Sequence, residues 1–196
     1  MTARDLWAFA RDWAKYPDRV GAILPSSSAL ARAITSEITP ASAPVIELGA
    51  GTGVFTRALL EHGLREADLT LIETGDAFAQ LLERRFPAAR ILRIDAAALP
   101  ENRLFDSACA GAVVSGLPLL NMPPRKIVAI VSGAFAYLRP DGAFYQFTYG
   151  PRCPVPRRFL DRLGLRATCI AKVRFNVPPA AVYRIARSGR CRLAPV

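Results

Sequence analysis

Glu47-Leu48-Gly49-Ala50-Gly51-Thr52-Gly53 sets one carboxylate and three alternating glycines between an apolar run ending at Ile46 and a helix-patterned run starting at Val54. Closely spaced glycines at a strand-to-helix turn let a ligand approach the backbone, because no Cβ stands in the way. A second apolar run, Leu69 to Ile72, ends in Glu73, twenty residues past Gly53. An acid at that distance accepts hydrogen bonds from a ribose in a βαβ nucleoside site. The glycine spacing is not that of a dinucleotide fingerprint, since Gly53 comes one residue early and Val54 fills the expected place. Glu47, two residues before the first glycine, would repel a pyrophosphate. A nucleoside with a cationic amino group and no phosphate fits this pattern.

The elements that must hold these residues follow from periodicity. Helices are expected at about 3–15 and 26–37, the second after Pro25 and a run of serines able to cap it. Strand and helix then alternate: strand 44–48, helix 53–62, strand 69–73, helix 76–86, strand 91–94, strand 108–114, helix 124–138 and strand 143–148. His62-Gly63 reads as a helix C-terminus with a left-handed glycine. The alternation predicts an α/β fold with right-handed crossovers and a parallel sheet covered on both faces. The tail holds a proline-rich basic loop from Pro151 to Arg158, a short helix, and two strand-like runs near 166–175 and 181–187. Two adjacent strands suggest a hairpin that puts one antiparallel strand into the sheet. Ligands in such sheets sit beyond the strands' carboxyl ends, which gathers Glu47 to Gly53, Glu73, Asp95-Ala96, Val114 to Leu117 (with Ser115) and Phe147 to Pro151 around one crevice.

At 196 residues and 52% apolar content, the chain fits one compact domain. Net charge is +10, yet residues 1–151 balance at 15 basic and 15 acidic side chains, while residues 152–196 hold 11 basic side chains against Asp161 alone. That localised field suits an anionic partner: nucleic acid, an acidic membrane surface or a phosphate-bearing substrate. Arg184 and Arg187 alternate with apolar residues and read as solvent-facing strand positions. Four scattered cysteines without a C-x-x-C pair, and the single His62, argue against a metal site and for reduced thiols in a cytoplasmic setting. Residues 3–16 interleave charge with apolar groups, unlike a signal peptide. The longest apolar stretch, Ile127 to Leu138, is short of the roughly 20 residues a membrane span needs, so membrane contact is expected to be peripheral.

The pattern E-x-G-x-G-x-G with a distant acid resembles the S-adenosylmethionine site of class I methyltransferases. Four further segments make the resemblance more specific: Gly21-Ala22-Ile23-Leu24-Pro25-Ser26-Ser27, Val114-Ser115-Gly116-Leu117-Pro118-Leu119-Leu120, Gln146-Phe147-Thr148-Tyr149-Gly150-Pro151 and Asn176-Val177-Pro178-Pro179-Ala180. Together they resemble bacterial phospholipid N-methyltransferases from about Tyr16 to Tyr183. The resemblance implies a Rossmann-like class I methyltransferase fold with a mostly parallel seven-stranded sheet, one strand antiparallel, plus N-terminal amphipathic helices. It divides the chain into membrane-binding, site-covering helices at 1–38 and a methyltransferase domain at 39–196. Glu47, Gly49, Gly51 and Gly53 would hold the methionine part of S-adenosylmethionine, Glu73 the ribose, and Asp95 and Ala96 the adenine, with Ser115 in the same crevice. S-adenosylhomocysteine would be the product. Where the family usually shows Gly-Asp-Ala, this chain has Ile94-Asp95-Ala96.

The implied reaction methylates the head-group amine of phosphatidylethanolamine towards phosphatidylcholine, at the inner face of the cytoplasmic membrane. Tyr16 and Tyr149 are candidates for the head-group pocket, because aromatic faces attract methylated ammonium. Asn176 would orient the head group and Arg174 would take its phosphate. Residues 3–16 put Leu6, Phe9, Ala10, Trp13 and Tyr16 on one helical face, and the chain's two tryptophans, Trp7 and Trp13, both fall within this segment, as suits a bilayer interface. With Arg157 and Arg158 of the basic tail, that helix would bind an anionic membrane. Two alternatives stand beside this one. Adenine-N6 ribosomal RNA dimethyltransferases share the fold, but their Asn-x-Pro-aromatic signature is replaced here by Ser115-Gly116-Leu117-Pro118-Leu119, without the ring that would stack on a flipped base. A non-catalytic membrane-binding sensor of the cofactor is the other. Neither nucleic acid nor metal is expected as a partner.

Overall fold

The computed structural model describes residues 27–102, 104–150, 152–174 and 178–188. Seven strands form one sheet among these residues: β1 (Val45–Leu48), β2 (Leu69–Ile72), β3 (Arg90–Leu92), β4 (Ala110–Ser115), β5 (Leu138–Thr148), β6 (Leu165–Val173) and β7 (Ala180–Arg187). Their order is β3-β2-β1-β4-β5-β7-β6. β1 to β5 pair in parallel. Only β7 runs against its neighbours, pairing antiparallel with both β5 and β6. The hairpin expected from two adjacent tail strands is therefore present, and the fold class is the expected one.

Among the described residues five α-helices cover the sheet: α1 (Ser28–Thr35), α2 (Val54–Glu61), α3 (Asp76–Arg85), α4 (Pro124–Tyr137) and α5 (Arg157–Arg162). One face carries α1, α2 and α3, whose Leu30, Ile34, Phe55, Leu59 and Leu82 pack on Val45, Leu71, Val114 and Val182. The other carries α4 and α5, with Ile127, Ile130, Val131 and Leu160 against Ile46, Val113, Phe144 and Ile185. Burial on both faces explains why the central strands read as continuous apolar runs. The side chain of Ser27 caps α1 by accepting from the Leu30 N–H at 3.2 Å. Leu30, Ala31, Ile34 and Ile38 all lie in the core, so the described part of the expected N-terminal unit packs on the sheet. Helix 3–16, Tyr16 and the segment Gly21 to Ser26 lie outside the described residues. The C-terminus of α2 is as read: the His62 N–H bonds back to the Ala58 carbonyl and Gly63 has φ +89°.

Two expectations are corrected. β5 starts at Leu138, directly after α4, and not at 143. Pro140, Asp141 and Gly142 read as turn residues, but this stretch is paired only loosely: Leu138 meets Ala110, pairing resumes at Ala143, and β7 joins only from Ala143 onwards. A proline with no N–H is tolerated there. The other correction concerns Arg184 and Arg187, which do not simply face solvent. Arg184 Nε lies 3.4 Å from Glu37 Oε2, beside the Tyr145 hydroxyl that donates to the same oxygen at 3.2 Å. Arg187 donates to the carbonyls of Phe135, Leu138 and Arg139 at 2.7, 3.1 and 2.8 Å, and its guanidinium stands 5.3 Å from the Phe135 ring.

Those three carbonyls lie where α4 ends and β5 begins, and helix ends leave carbonyls in need of donors. Arg187→Ala is therefore expected to destabilise the fold by about 1–3 kcal/mol, measured by urea unfolding. An unchanged midpoint would show that water satisfies these groups equally well.

Candidate active site

β1 lies at the point where the strand order reverses, between β2 and β4, and such a switch point opens a crevice above the carboxyl ends. The turn that follows β1 enters it. Gly49, Gly51 and Gly53 have φ of +69°, +53° and +77°, which L-residues with side chains rarely adopt. Two of them are also filled sites: a Cβ on Gly49 would sit 2.6 Å from Leu117 Cδ2, and one on Gly53 would sit 2.4 Å from the Phe86 ring. A Cβ on Gly51 would meet nothing within 4 Å, so the open surface of the turn is at its middle glycine.

Glu47 is the last but one residue of β1 and only 1% exposed. Thr56, in the first turns of α2, donates its hydroxyl to Glu47 Oε2 at 2.6 Å. Among the described residues, Oε1 is buried without a hydrogen-bond partner. Burial pushes this carboxyl up to about 8, against the opposing bond from Thr56 and with a small addition from the charge of Glu73. Glu73, just beyond β2, accepts from the Gly51 N–H at 2.9 Å through Oε2 and from the Gly75 N–H at 2.8 Å through Oε1. It thereby ties the end of β2 to the glycine turn, and each oxygen keeps a lone pair for a further donor. A buried, half-satisfied carboxyl, an open glycine and a second acid with spare acceptors suit a ligand that carries an ammonium at one end and hydroxyls further along.

Asp95 and Ala96 follow β3, two strands from β1. The Lys126 ammonium lies 2.6 Å from Asp95 Oδ2 and, with the Ala97 N–H on Oδ1 at 2.9 Å, holds the carboxyl below its ordinary range. Ala96 is buried. Ser115 is fully buried at the end of β4, where its Oγ accepts from the Leu117 N–H at 3.4 Å; it shapes the following turn from beneath. Tyr149 is half-buried past the end of β5 and meets Phe147 edge to face at 5.3 Å, and Phe147 meets Phe55 of α2 likewise at 6.0 Å. Arg174 is exposed at the end of β6, four strand positions from β1, about 19 Å at ordinary strand spacing. Asn176 lies outside the described residues. The structure thus brings Glu47, the three glycines and Glu73 together, sets Ser115 beneath the neighbouring turn, and does not bring Arg174 to them. Sequence reasoning missed Thr56, Lys126 and Phe55, which have no local signal and are recruited by the packing of α2 and α4; it gathered Phe147 to the crevice without giving it a role.

Glu47 makes stability depend on pH. Burial raises its pKa from the ordinary 4.5 to about 8, so between those values the folded chain retains a proton that the unfolded chain has lost. Stability falls as pH rises through that window. Glu47→Gln keeps the shape and the acceptor for Thr56 and removes the ionisation. We expect it to be more stable than the parent at pH 8, on the order of 2–4 kcal/mol, with the gap closing towards pH 5 in thermal unfolding. A gap that does not vary with pH would mean that Glu47 is not desolvated.

Residues 45–142 match the family model described as a methyltransferase domain. An ornithine lipid N-methyltransferase of Singulisphaera acidiphila is 30% identical over 190 residues, covering 92% of this chain and 95% of the relative. Among solved structures, a TehB-like S-adenosylmethionine-dependent methyltransferase of Corynebacterium glutamicum superposes with TM-score 0.61 at 16% identity, over 95% of this chain and all of the other. A glycopeptide N-methyltransferase complexed with S-adenosylmethionine superposes with TM-score 0.64 at 14% identity, over 87% and 98%. The unpartnered Glu47 oxygen, the open Gly51 and the spare acceptors of Glu73 fit that cofactor, which has an ammonium and a ribose and no phosphate. The chain belongs to the methyltransferase-domain family, within the class I S-adenosylmethionine-dependent methyltransferases, and shares nearly its whole length with a lipid N-methyltransferase.

Proposed function

We propose that this protein transfers methyl groups from S-adenosylmethionine to the head-group amine of a membrane lipid. The observation that carries this reading is the likeness, over 92% of the chain, to an enzyme named for N-methylation of a lipid. Phosphatidylethanolamine is the substrate implied by the segments quoted above. Ornithine lipid, on which that relative acts by its name, is the second reading. The two head groups share a primary amine and differ in the anion beside it, phosphate in one and carboxylate in the other.

In this reading Glu47 Oε1 takes the ammonium of the methionine part, Glu73 the ribose hydroxyls, and the backbone around Asp95 and Ala96 the adenine, with Ser115 beneath the neighbouring turn. When bound, S-adenosylmethionine supplies a methyl group on a sulfonium, which a neutral amine attacks in line. The protein's contribution is alignment and exclusion of water, and orientation alone accounts for several kcal/mol of such a barrier. Tyr149, held edge-on by Phe147, offers the methylated nitrogen an aromatic surface. Tyr16, Asn176 and Arg174 complete the head-group pocket in the same proposal, Arg174 as the partner of the lipid anion. The distance of Arg174 from the glycine turn suits an anion that lies outside the crevice while the amine reaches into it.

Helix 3–16 and the exposed Arg157 and Arg158 are proposed to seat the protein on the anionic inner face of the cytoplasmic membrane. Each nearby cation contributes about 1 kcal/mol at such a surface.

Three outcomes test the proposal. Purified protein with labelled cofactor should methylate phosphatidylethanolamine in mixed micelles; label entering only ornithine lipid would move the substrate to the second reading, and label entering neither would remove lipid from the proposal. By calorimetry, S-adenosylmethionine and S-adenosylhomocysteine should both bind, and Glu73→Ala should weaken each by about 1–3 kcal/mol. Unchanged affinity would detach Glu73 from the cofactor. Deleting residues 1–13 should abolish flotation with anionic vesicles while cofactor affinity holds, and vesicle binding equal to the full chain's would place the membrane contact elsewhere.

A further inference from the structure

A polar row crosses four strands on the face covered by α4 and α5. Ser115 on β4 stands in register with Gln146 on β5, Gln146 with Tyr183 on β7, and Tyr183 with Cys169 on β6. Gln146 is its centre and is fully buried. Its Nε2 spends both hydrogens, one on the Leu117 carbonyl at 2.9 Å and one on the Phe147 carbonyl at 2.8 Å. Two carbonyl acceptors around one atom assign it as the nitrogen. The other amide atom, Oε1, is buried and has no partner among the described residues. An amide with an orphaned acceptor is a poor choice for stability alone, since an apolar side chain would avoid the desolvation cost. What the amide uniquely supplies here is the pair of donors, and one of them reaches the turn after β4.

That turn sits directly on the glycine turn. The Gly116 N–H bonds to the Leu48 carbonyl at 2.8 Å. A Cβ on Gly116 would lie 2.7 Å from the Gly49 carbonyl oxygen, and a Cβ on Gly49 would lie 2.6 Å from Leu117 Cδ2. The β4 turn therefore packs on the β1 turn with no room for a side chain at either glycine. Gln146 grips this assembly from β5, the strand that also carries Phe147 and leads to Tyr149. One side chain thus links the ends of three strands: β1 on the cofactor side, β4 between, and β5 on the acceptor side.

We infer that Gln146 is a positioning residue for methyl transfer: by holding the Leu117 carbonyl it keeps the β4 turn seated on Gly49 and fixes the acceptor side of the crevice relative to the cofactor side. The inference rests on the methyltransferase reading of this crevice. Reacting atoms held a fraction of an ångström out of line lose rate steeply, whereas cofactor affinity depends on Glu47, Glu73 and the glycine turn, which have their own supports in Thr56, Gly51 and Gly75. Gln146 should therefore affect turnover far more than cofactor binding.

The test uses the full chain with Gln146→Leu and Gln146→Glu. For Gln146→Leu, kcat on the accepted lipid should fall at least tenfold, with lipid KM and the Kd of S-adenosylhomocysteine both within threefold of the parent. Independently of any substrate, amide exchange at Leu117 and Leu119, whose N–H groups bond within the turn to Ser115 Oγ and the Leu117 carbonyl, should accelerate at least tenfold while Leu71 and Ile72 of β2 keep their protection. Gln146→Glu separates grip from bulk: a carboxylate faces two carbonyls without a hydrogen, whereas its protonated form restores one donor. Its activity relative to the parent should rise at least threefold from pH 8.5 to 6.5. The titratable neighbours on this face are Tyr183 beside it, Cys169 beyond, and Cys153 in the segment after β5; burial raises both Tyr183 and Cys153, so neither gains charge across that range. Parent-like kcat and exchange in a folded Gln146→Leu would overturn the inference. So would a flat pH ratio for Gln146→Glu with the turn still protected. A parent protein that binds no S-adenosylhomocysteine would instead overturn the reading of the crevice, while the exchange result would still decide whether Gln146 holds the turn.

Discussion

Glu47 lies on a strand with strands on both sides and helices over both faces, and only 1% of it is exposed. One oxygen is met by Thr56; the other has no partner among the described residues. Burying an acid in that condition costs the folded state stability above the ordinary carboxylate range, and the surrounding elements are arranged around the debt. α2 must follow β1 closely enough to deliver Thr56, which requires a turn of a few residues, and that turn runs through three left-handed glycines. β2 must end where Glu73 can accept from the Gly51 N–H, which fixes the register of β2 on β1. In the proposed reading a ligand ammonium on Glu47 Oε1 would relieve that cost, so cofactor binding and stability would draw on the same atom.

The tail serves two purposes that its charge total conceals. Arg184 and Arg187 are spent on the fold, one bridging Glu37 beside Tyr145 and the other gathering the carbonyls where α4 becomes β5. Arg152, Arg157 and Arg166 instead line a groove of about 760 Å³ with Tyr183 and Ser188. Arg157 reaches Asp161 only at 3.8 Å with both side chains largely exposed, a pair of little energetic weight. Among the described residues, the basic side chains left for an outside anion are therefore fewer than the sequence total, and they include Arg152, Arg157 and Arg166 at this groove and Arg174 at the end of β6.

The parts of the fold legible in the sequence were those set by local periodicity and turn chemistry. The strand–glycine–helix unit at 45–61, the acid after β2, the C-terminus of α2 and the tail hairpin each carry their signal within a few residues. β5 was harder, because Pro140-Asp141-Gly142 looks like a turn and becomes strand only through a neighbour, β4, that is distant in sequence. The candidate site divides in the same way. Glu47, the glycines and Glu73 are spaced along one βαβ unit and could be read directly. Thr56, Lys126 and Gln146 act across elements: the hydroxyl reaches back from α2, the ammonium from α4 to the end of β3, and the amide from β5 under the β4 turn. Their residue types are ordinary for where they lie, and only the packing reveals what they hold.

Repeated methylation of one nitrogen constrains which groups can hold it. Each methyl added removes an N–H, so carbonyl and carboxylate acceptors that suit the first amine lose a bond at every round. An aromatic face needs no N–H and attracts the charged product as well as the charged substrate. In the proposed reading Tyr149 would offer that face: Phe55 and Phe147 are nearly buried and meet edge to face, and Tyr149, braced by Phe147, keeps exposed surface. Gln146 lies between Tyr145 and Phe147 on the same strand with its side chain on the opposite face, so the β4 turn and the aromatic brace share one rigid backbone segment. If the proposed reading holds, such a site would keep its geometry while the nitrogen changes from a hydrogen-bond donor to a bulky cation, because the strand, rather than the bonds the amine itself can make, would align the acceptor.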